Sequence, residues 1–214
     1  MRLKTCGPAV AVLVLCAALV SSPAQTAPAT STTLTPYERE FALKQFETTR
    51  DNFLKSISGL SQKQWTFKRG PDRWSVAEVA EHITVAETTI MGLIQNKVLQ
   101  SPAAPEKREQ VKEKDQLILQ RMPDRSHKAQ APEILKPTGR WATEAELTNT
   151  FEDARKTNME YIRTTNDDLR DHFFDHPVFG TLDGYQWLLL LSAHSARHTA
   201  QIEEVKADPN LPKE

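Results

Sequence analysis

Four helix-start signals constrain this chain more than any other feature. Thr35-Pro36-Tyr37-Glu38 places a capping Thr before Pro at the first helical position, with Glu three residues after the cap. Ser75-Val76-Ala77-Glu78 and Thr143-Glu144-Ala145-Glu146 repeat the box without Pro, and Asp183-Gly184-Tyr185-Gln186 is an Asp/Gln version. In each, the cap oxygen takes an orphan backbone N–H and the Glu or Gln reaches back. Behind each start runs an apolar stripe at helical spacing. The stripes are Ala42, Phe46, Phe53, Ile57, Leu60; then Val76, Val79, Ala80, Ile83, Ala86, Ile90, Ile94; then Leu147, Phe151, Ala154, Ile162; then Trp187, Leu190, Leu191, Ile202, Val205. Four amphipathic helices closing on a common core, an all-α four-helix bundle, is the economical solution. With 7 Gly and 13 Pro, the composition suits helices joined by Pro-containing loops.

The chain's beginning reads differently. Arg2 and Lys4 precede an apolar run from Ala9 to Val20, and Ser21, Ser22, Pro23 and Ala24 follow. That is the layout of a secretory signal peptide, and the run is shorter than the roughly 20 residues of a membrane span. Residues 1–24 are therefore expected to be a cleaved signal peptide and 25–34 a flexible linker. The expected location is the periplasm or the exterior. Cys6 and Cys16 both fall in the signal segment, so the mature chain would have no disulfide, thiolate nucleophile or Cys-ligated zinc. Cleavage would also shift the formal net charge from -1 to -3. An acidic chain lacks the basic footprint of a nucleic-acid binder. The expected partner is a small-molecule substrate, with no nucleic acid and no stable membrane span after processing; a homodimer is left open.

Residues 101–142 form a long connection between the second and third helices, with Pro at 102, 105, 123, 132 and 137. Its charged stretch Glu106 to Arg121 predicts a short extra helix with Val111, Leu117 and Ile118 as anchors. A connection of this length need not return the chain antiparallel.

Three histidines carry the candidate chemistry. His194 and His198 form HxxxH on the fourth helix, so both rings share one face about 6 Å apart along the axis. At 100° per residue, Trp187 and Val205 lie within about 20° of His194, so the pair points into the bundle with Gln201 in line. Two inward imidazoles need two buried partners if they are only structural, whereas one metal ion satisfies both. HxxxH alone has many chance matches. His82, at the edge of the second helix's stripe, supplies a third donor. Three neutral imidazoles with an open position resemble a catalytic zinc site, and the set also suits Ni, Co or Fe(II). Protonating such ligands should displace the metal below about pH 6. His127 is expected in solvent, and His172 and His176, among Asp171 and Asp175, read first as loop residues facing water and second as a separate site. Glu78, one turn before His82, reads first as a capping residue and second as a partner that orients that histidine. Glu87, on the apolar side of its helix, calls for a partner such as Arg197 or a Trp N–H.

Several chemistries are excluded by pattern. His194-Ser195-Ala196-Arg197-His198 lacks the Glu of HExxH metalloproteases. Paired Glu-x-x-His motifs, Cys-x-x-Cys-His and G-x-S-x-G are all absent.

The segment from Trp74 to Ile83 (WSVAEVAEHI) resembles the second-helix signature of the DinB-like, or YfiT-like, family. Tyr185 to Pro212 is similar to its last-helix signature, with H-x-x-R-H, and Lys136 to Leu147 to the start of its third helix. The resemblance covers most of residues 35–212. It implies an up-down-down-up four-helix bundle holding a divalent metal cation (Zn, Ni, Fe or Mn) through His82, His194 and His198. Characterised relatives include thiol-dependent transferases and isomerases, and the expectation taken from residues and resemblance together is a metal-dependent hydrolase or thiol-type transferase of small molecules. Export departs from the family's thiol-dependent transferases, whose thiols are mainly cytosolic. The sequence does not assign catalytic residues. A non-catalytic bundle that binds a ligand or partner, its metal structural or absent, stays open.

Overall fold

The computed structural model describes residues 33–126 and 130–213. The expected signal peptide, most of the expected linker and His127 lie outside the described residues. Four long helices dominate: α1 Pro36–Ile57, α2 Val76–Leu93, α3 Glu144–Thr164 and α4 Gly184–Lys206. All four capping boxes form with both reciprocal hydrogen bonds, and Ser61 with Gln64 adds a fifth on the short turn Gln62–Trp65. Such a cap is worth about 1 kcal/mol, so the boxes fix helix starts while burial of the stripes holds the bundle together.

Helix directions follow from which ends share a core layer. One layer joins Phe53 and Ile57 from the end of α1, Val76 to Ile83 from the start of α2, Leu147 and Phe151 from the start of α3, and Ile202 and Val205 from the end of α4. The other joins Ala42 and Phe46, Ala86 to Met91, Met159 and Ile162, and Tyr185 to Leu191. α1 and α4 therefore run one way and α2 and α3 the other. α1 and α2 each pack against both α3 and α4, so they sit across the bundle from one another.

Because α2 and α3 start in the same layer, the chain between them must travel the length of the bundle. A π-helical turn Ile94–Val98 extends α2, and short helices Arg108–Val111 and Lys114–Arg121 follow. Val111 and Ile118 are buried, as the sequence suggests, whereas Leu117 is half-buried. The Gln186 amide donates to the Val111 carbonyl at 2.7 Å and ties this stretch to α4.

The expectation of a purely α-helical chain is corrected by a small antiparallel hairpin. β1 Phe173–His176 pairs with β2 Gly180–Asp183, from Phe173 opposite Asp183 to His176 opposite Gly180. Gly180 adopts φ 66°, a left-handed value that closes the three-residue turn at no steric cost. Gly184 then starts α4 against the 165–172 segment. A Cβ there would meet Leu169 Cδ2 at 2.8 Å, so only Gly permits this approach. Among the described residues, no helix is long and apolar enough to cross a membrane.

Candidate metal centre

His82 projects from the middle of α2, while His194 and His198 project from successive turns of α4. The structure brings the three together. His82 Nε2 lies 3.1 Å from His194 Nε2 and 3.2 Å from His198 Nε2, and the three candidate ligand atoms lie within 4.8 Å of one another. His82 is 2 % exposed and His194 6 %.

The outer ring nitrogens show which atoms are free to bind. His82 Nδ1 sits 2.8 Å from the Leu135 carbonyl oxygen, which can only accept, so Nδ1 carries the proton. His198 Nδ1 sits 2.8 Å from Gln201 Oε1. Arg125 Nη1 donates to that same Oε1 at 3.2 Å, and a guanidinium only donates, which fixes the amide orientation. His198 Nδ1 is thus also protonated. Both Nε2 atoms then present bare lone pairs to each other, a repulsive arrangement that a cation between them converts into attraction. His194 Nδ1 is buried without a partner among the described residues.

The donor set fits a metal on distance as well. Tetrahedral coordination with bonds of about 2.0–2.1 Å puts its nitrogens about 3.3 Å apart, close to the 3.1 and 3.2 Å seen here. Electrostatics agree, because ligand imidazoles must be neutral. Burial lowers the pKa of His82 despite the Leu135 hydrogen bond. Burial, then the neighbouring His198 and His82, hold His194 well below the ordinary value. Burial and His82 push His198 down to about 3.

The surroundings orient the three rings. Trp74, just before the α2 cap, tilts over His82 with ring centroids 5.0 Å apart. Glu81, the residue preceding His82, is buried and clamps the loop that carries Leu135. Its carboxylate accepts from the backbone N–H groups of Thr138 at 2.6 Å, Gly139 at 2.8 Å and Arg140 at 3.3 Å, and from Arg140 Nη1 at 2.7 Å. Gly139 at φ 79° lets successive amides converge on one anion. Burial opposes this charge, but the Thr138 and Gly139 N–H groups and Arg140 outweigh it and lower the Glu81 pKa. Sequence reasoning passed over Glu81; the signal available to it was the Thr138-Gly139-Arg140 run that makes the nest.

Two other expectations are corrected. Glu87 pairs not with Arg197 or a Trp N–H but with Arg155 of α3, at 2.5 and 3.0 Å. Arg197 instead donates to the carbonyls of Met122 and Asp124. His172 and His176 do not simply face water. His172 Nδ1 hydrogen-bonds the Ser101 carbonyl at 2.5 Å, and His176 packs its ring against Phe179 and Trp187. Glu78 caps α2 as expected and also pairs with Lys68 at 2.7 Å.

Comparison with known proteins places these features. The model of a family described as "DinB superfamily" matches residues 45–202. The uncharacterized protein YuaE of Bacillus subtilis (strain 168) is 25% identical over 150 residues, spanning 70% of this chain and 88% of that protein. Among solved structures, one is described as "YfiT from Bacillus subtilis is a probable metal-dependent hydrolase with an unusual four-helix bundle topology". It matches with TM-score 0.50 and 13% identity over 81% of this chain and 89% of that one, a likeness of fold. The four-helix bundle protein TT2238 matches at 18% identity and TM-score 0.49 over 78% of this chain and 98% of its own.

Proposed function

This chain belongs to the DinB superfamily, and from that premise we propose that it is an exported, metal-dependent hydrolase of small molecules. The reading rests on one observation: three Nε2 atoms from two helices converge, two of them only 3.1 and 3.2 Å from His82 Nε2. It is supported by the fold shared with YfiT, itself described as a probable metal-dependent hydrolase.

A divalent ion held by His82, His194 and His198 would act as a Lewis acid, lowering the pKa of a bound water or thiol towards about 7. The chain's own residues prepare for that role. Leu135 and Gln201 hold the protons of His82 and His198 on Nδ1 and turn Nε2 inward. Arg125 fixes Gln201 and also pairs with Glu204 at 2.6 Å, which keeps the Gln carbonyl from turning away. Trp74 walls one side of His82. The transferase alternative differs only in the nucleophile, and export argues against one that depends on a cytosolic thiol. Export itself rests on the sequence alone, on Arg2, Lys4 and the Ala9–Val20 run.

The test is to purify the protein from fractionated cells, sequence its N-terminus and measure its metal content. Hydrolytic activity is then screened after chelation and after adding back Zn, Ni, Fe or Mn. Processing near residue 24, export and metal-restored hydrolysis are expected. Activity that survives complete metal removal contradicts the mechanism, and an unprocessed cytosolic protein contradicts the location.

A further inference from the structure

The two helices that carry the three histidines are joined by a closed polar triangle inside the bundle. Arg155 of α3 donates to Glu87 Oε1 and Oε2 of α2 at 2.5 and 3.0 Å and to Ser195 Oγ of α4 at 2.8 Å. Ser195 Oγ donates in turn to Glu87 Oε1 at 3.2 Å. All three residues are buried to 0 % exposure. Asn158 fixes Glu87 further, donating to its carbonyl at 3.2 Å and to Oε2 at 3.0 Å.

Stability alone does not call for this triangle. Two buried charges lose their hydration, and apolar side chains of similar volume usually hold a core together as well or better. What the ion pair adds is direction, because it forms at one axial offset of the helices and breaks at others. That offset matters to the centre. Glu87 follows His82 by five residues, about 7.5 Å along α2, and Ser195 is the neighbour of His194 on α4. His82 meets His194 and His198 across the gap between α2 and α4, at 3.1 and 3.2 Å. A slip of one residue moves a helix by about 1.5 Å, whereas metal–ligand distances tolerate about 0.2 Å. Apolar packing sets the offset weakly. Leu188, Leu189, Leu190 and Leu191 are all buried on α4, and a run of one side chain offers similar contacts to a shifted partner.

We propose that Glu87, Arg155 and Ser195 are positioning residues that lock the axial register of α2 against α4, holding His82 opposite His194 and His198 at metal-bonding distance before the ion arrives. The proposal rests on the metal reading of that centre and assigns its geometry to residues that touch neither metal nor substrate.

The test separates register from stability. Cobalt(II) is the probe: titration gives its affinity and absorption its coordination geometry, while urea unfolding reports the stability of the same metal-free proteins. The double variant Arg155→Leu with Glu87→Leu keeps the core apolar and removes the lock. It should remain helical yet bind cobalt about 10- to 100-fold more weakly, the usual range for an outer-shell loss, with a weaker tetrahedral absorption band. Two single variants then remove one arm each. Ser195→Ala removes the arm to α4; Thr49→Val removes an arm to α1, where Thr49 Oγ1 accepts from Arg155 Nη1 at 2.7 Å. Each loses one hydrogen bond to the same guanidinium, so a purely structural network treats them alike. A register lock does not, because α1 carries none of the three histidines. Ser195→Ala should bind cobalt about fivefold more weakly, the weight of one hydrogen bond, and Thr49→Val should keep the wild-type affinity. This pair decides the question even if the double variant fails to fold. Wild-type cobalt affinity in Ser195→Ala or in a folded double variant, or equal losses in Ser195→Ala and Thr49→Val, overturns the inference alone. A wild-type protein that takes up no cobalt overturns the metal reading and this inference with it.

Discussion

Arg155 of α3 and Glu87 of α2 form a two-pronged ion pair at 2.5 and 3.0 Å with both side chains 0 % exposed. Arg155 also donates to the Phe46 carbonyl and Thr49 hydroxyl of α1 and to Ser195 of α4, so one guanidinium touches all four helices. Asn158 adds a donor to Glu87 at 3.0 Å. Removing one partner leaves a buried charge without compensation. Arg155→Ala or Glu87→Ala should each cost about 3–5 kcal/mol. The double variant Arg155→Leu with Glu87→Leu should cost clearly less than the two single costs combined. Urea unfolding of the four proteins checks this, and additive losses would show that the pair is not coupled.

Glu81 acts on the centre from one residue away. By clamping Thr138, Gly139 and Arg140 it holds the loop whose Leu135 carbonyl orients His82. Glu81→Ala should weaken metal binding about 10- to 100-fold, the usual effect of losing an outer-shell partner. His82 itself is intact in this variant, so the stoichiometry should remain one. Competition against a chelator of known affinity measures the change, and wild-type affinity would separate the loop from the centre.

The helices and the histidines that converge were legible in the sequence because their signals are local. Each capping box spans four residues, and the spacing of His194 and His198 puts both rings on one face whatever surrounds them. The groups that complete the centre were not legible. Leu135 meets His82 across 53 positions and Arg155 meets Glu87 across 68, and such pairings are set by how helices dock rather than by any local pattern. A partner for Glu87 could be expected from its apolar face, but choosing Arg155 over Arg197 required the order of helices around the bundle. The hairpin escaped for a related reason. Its strands have four residues each, too few for a period-2 pattern, and its burial depends on docking at the start of α4.

Acid sensitivity follows from the buried imidazoles. Burial is the leading cause that lowers His82, His194 and His198, the last to about 3, below the unfolded value near 6.5. The unfolded chain therefore binds more protons than the folded one across that interval. Stability of the metal-free protein should be fully present above about pH 6.5 and fall as pH drops towards about 3. The same lowering makes the ligands poorer competitors for protons, so the metal should be kept to a lower pH than the value near 6 that exposed histidines suggest. Metal release followed against pH checks this; a midpoint at or above 6.5 would contradict it.

The most direct test of the metal centre is stoichiometry by elemental analysis on purified wild type and on His82→Ala and His194→Ala. Those two histidines come from different helices and share Nε2 atoms 3.1 Å apart. The wild type should hold one equivalent of a divalent metal per chain, and each variant should lose stoichiometric binding while circular dichroism still reports a helical fold. One equivalent retained at wild-type affinity in either variant, or no metal bound by the wild type after exposure to Zn, Ni, Fe and Mn, would contradict the account.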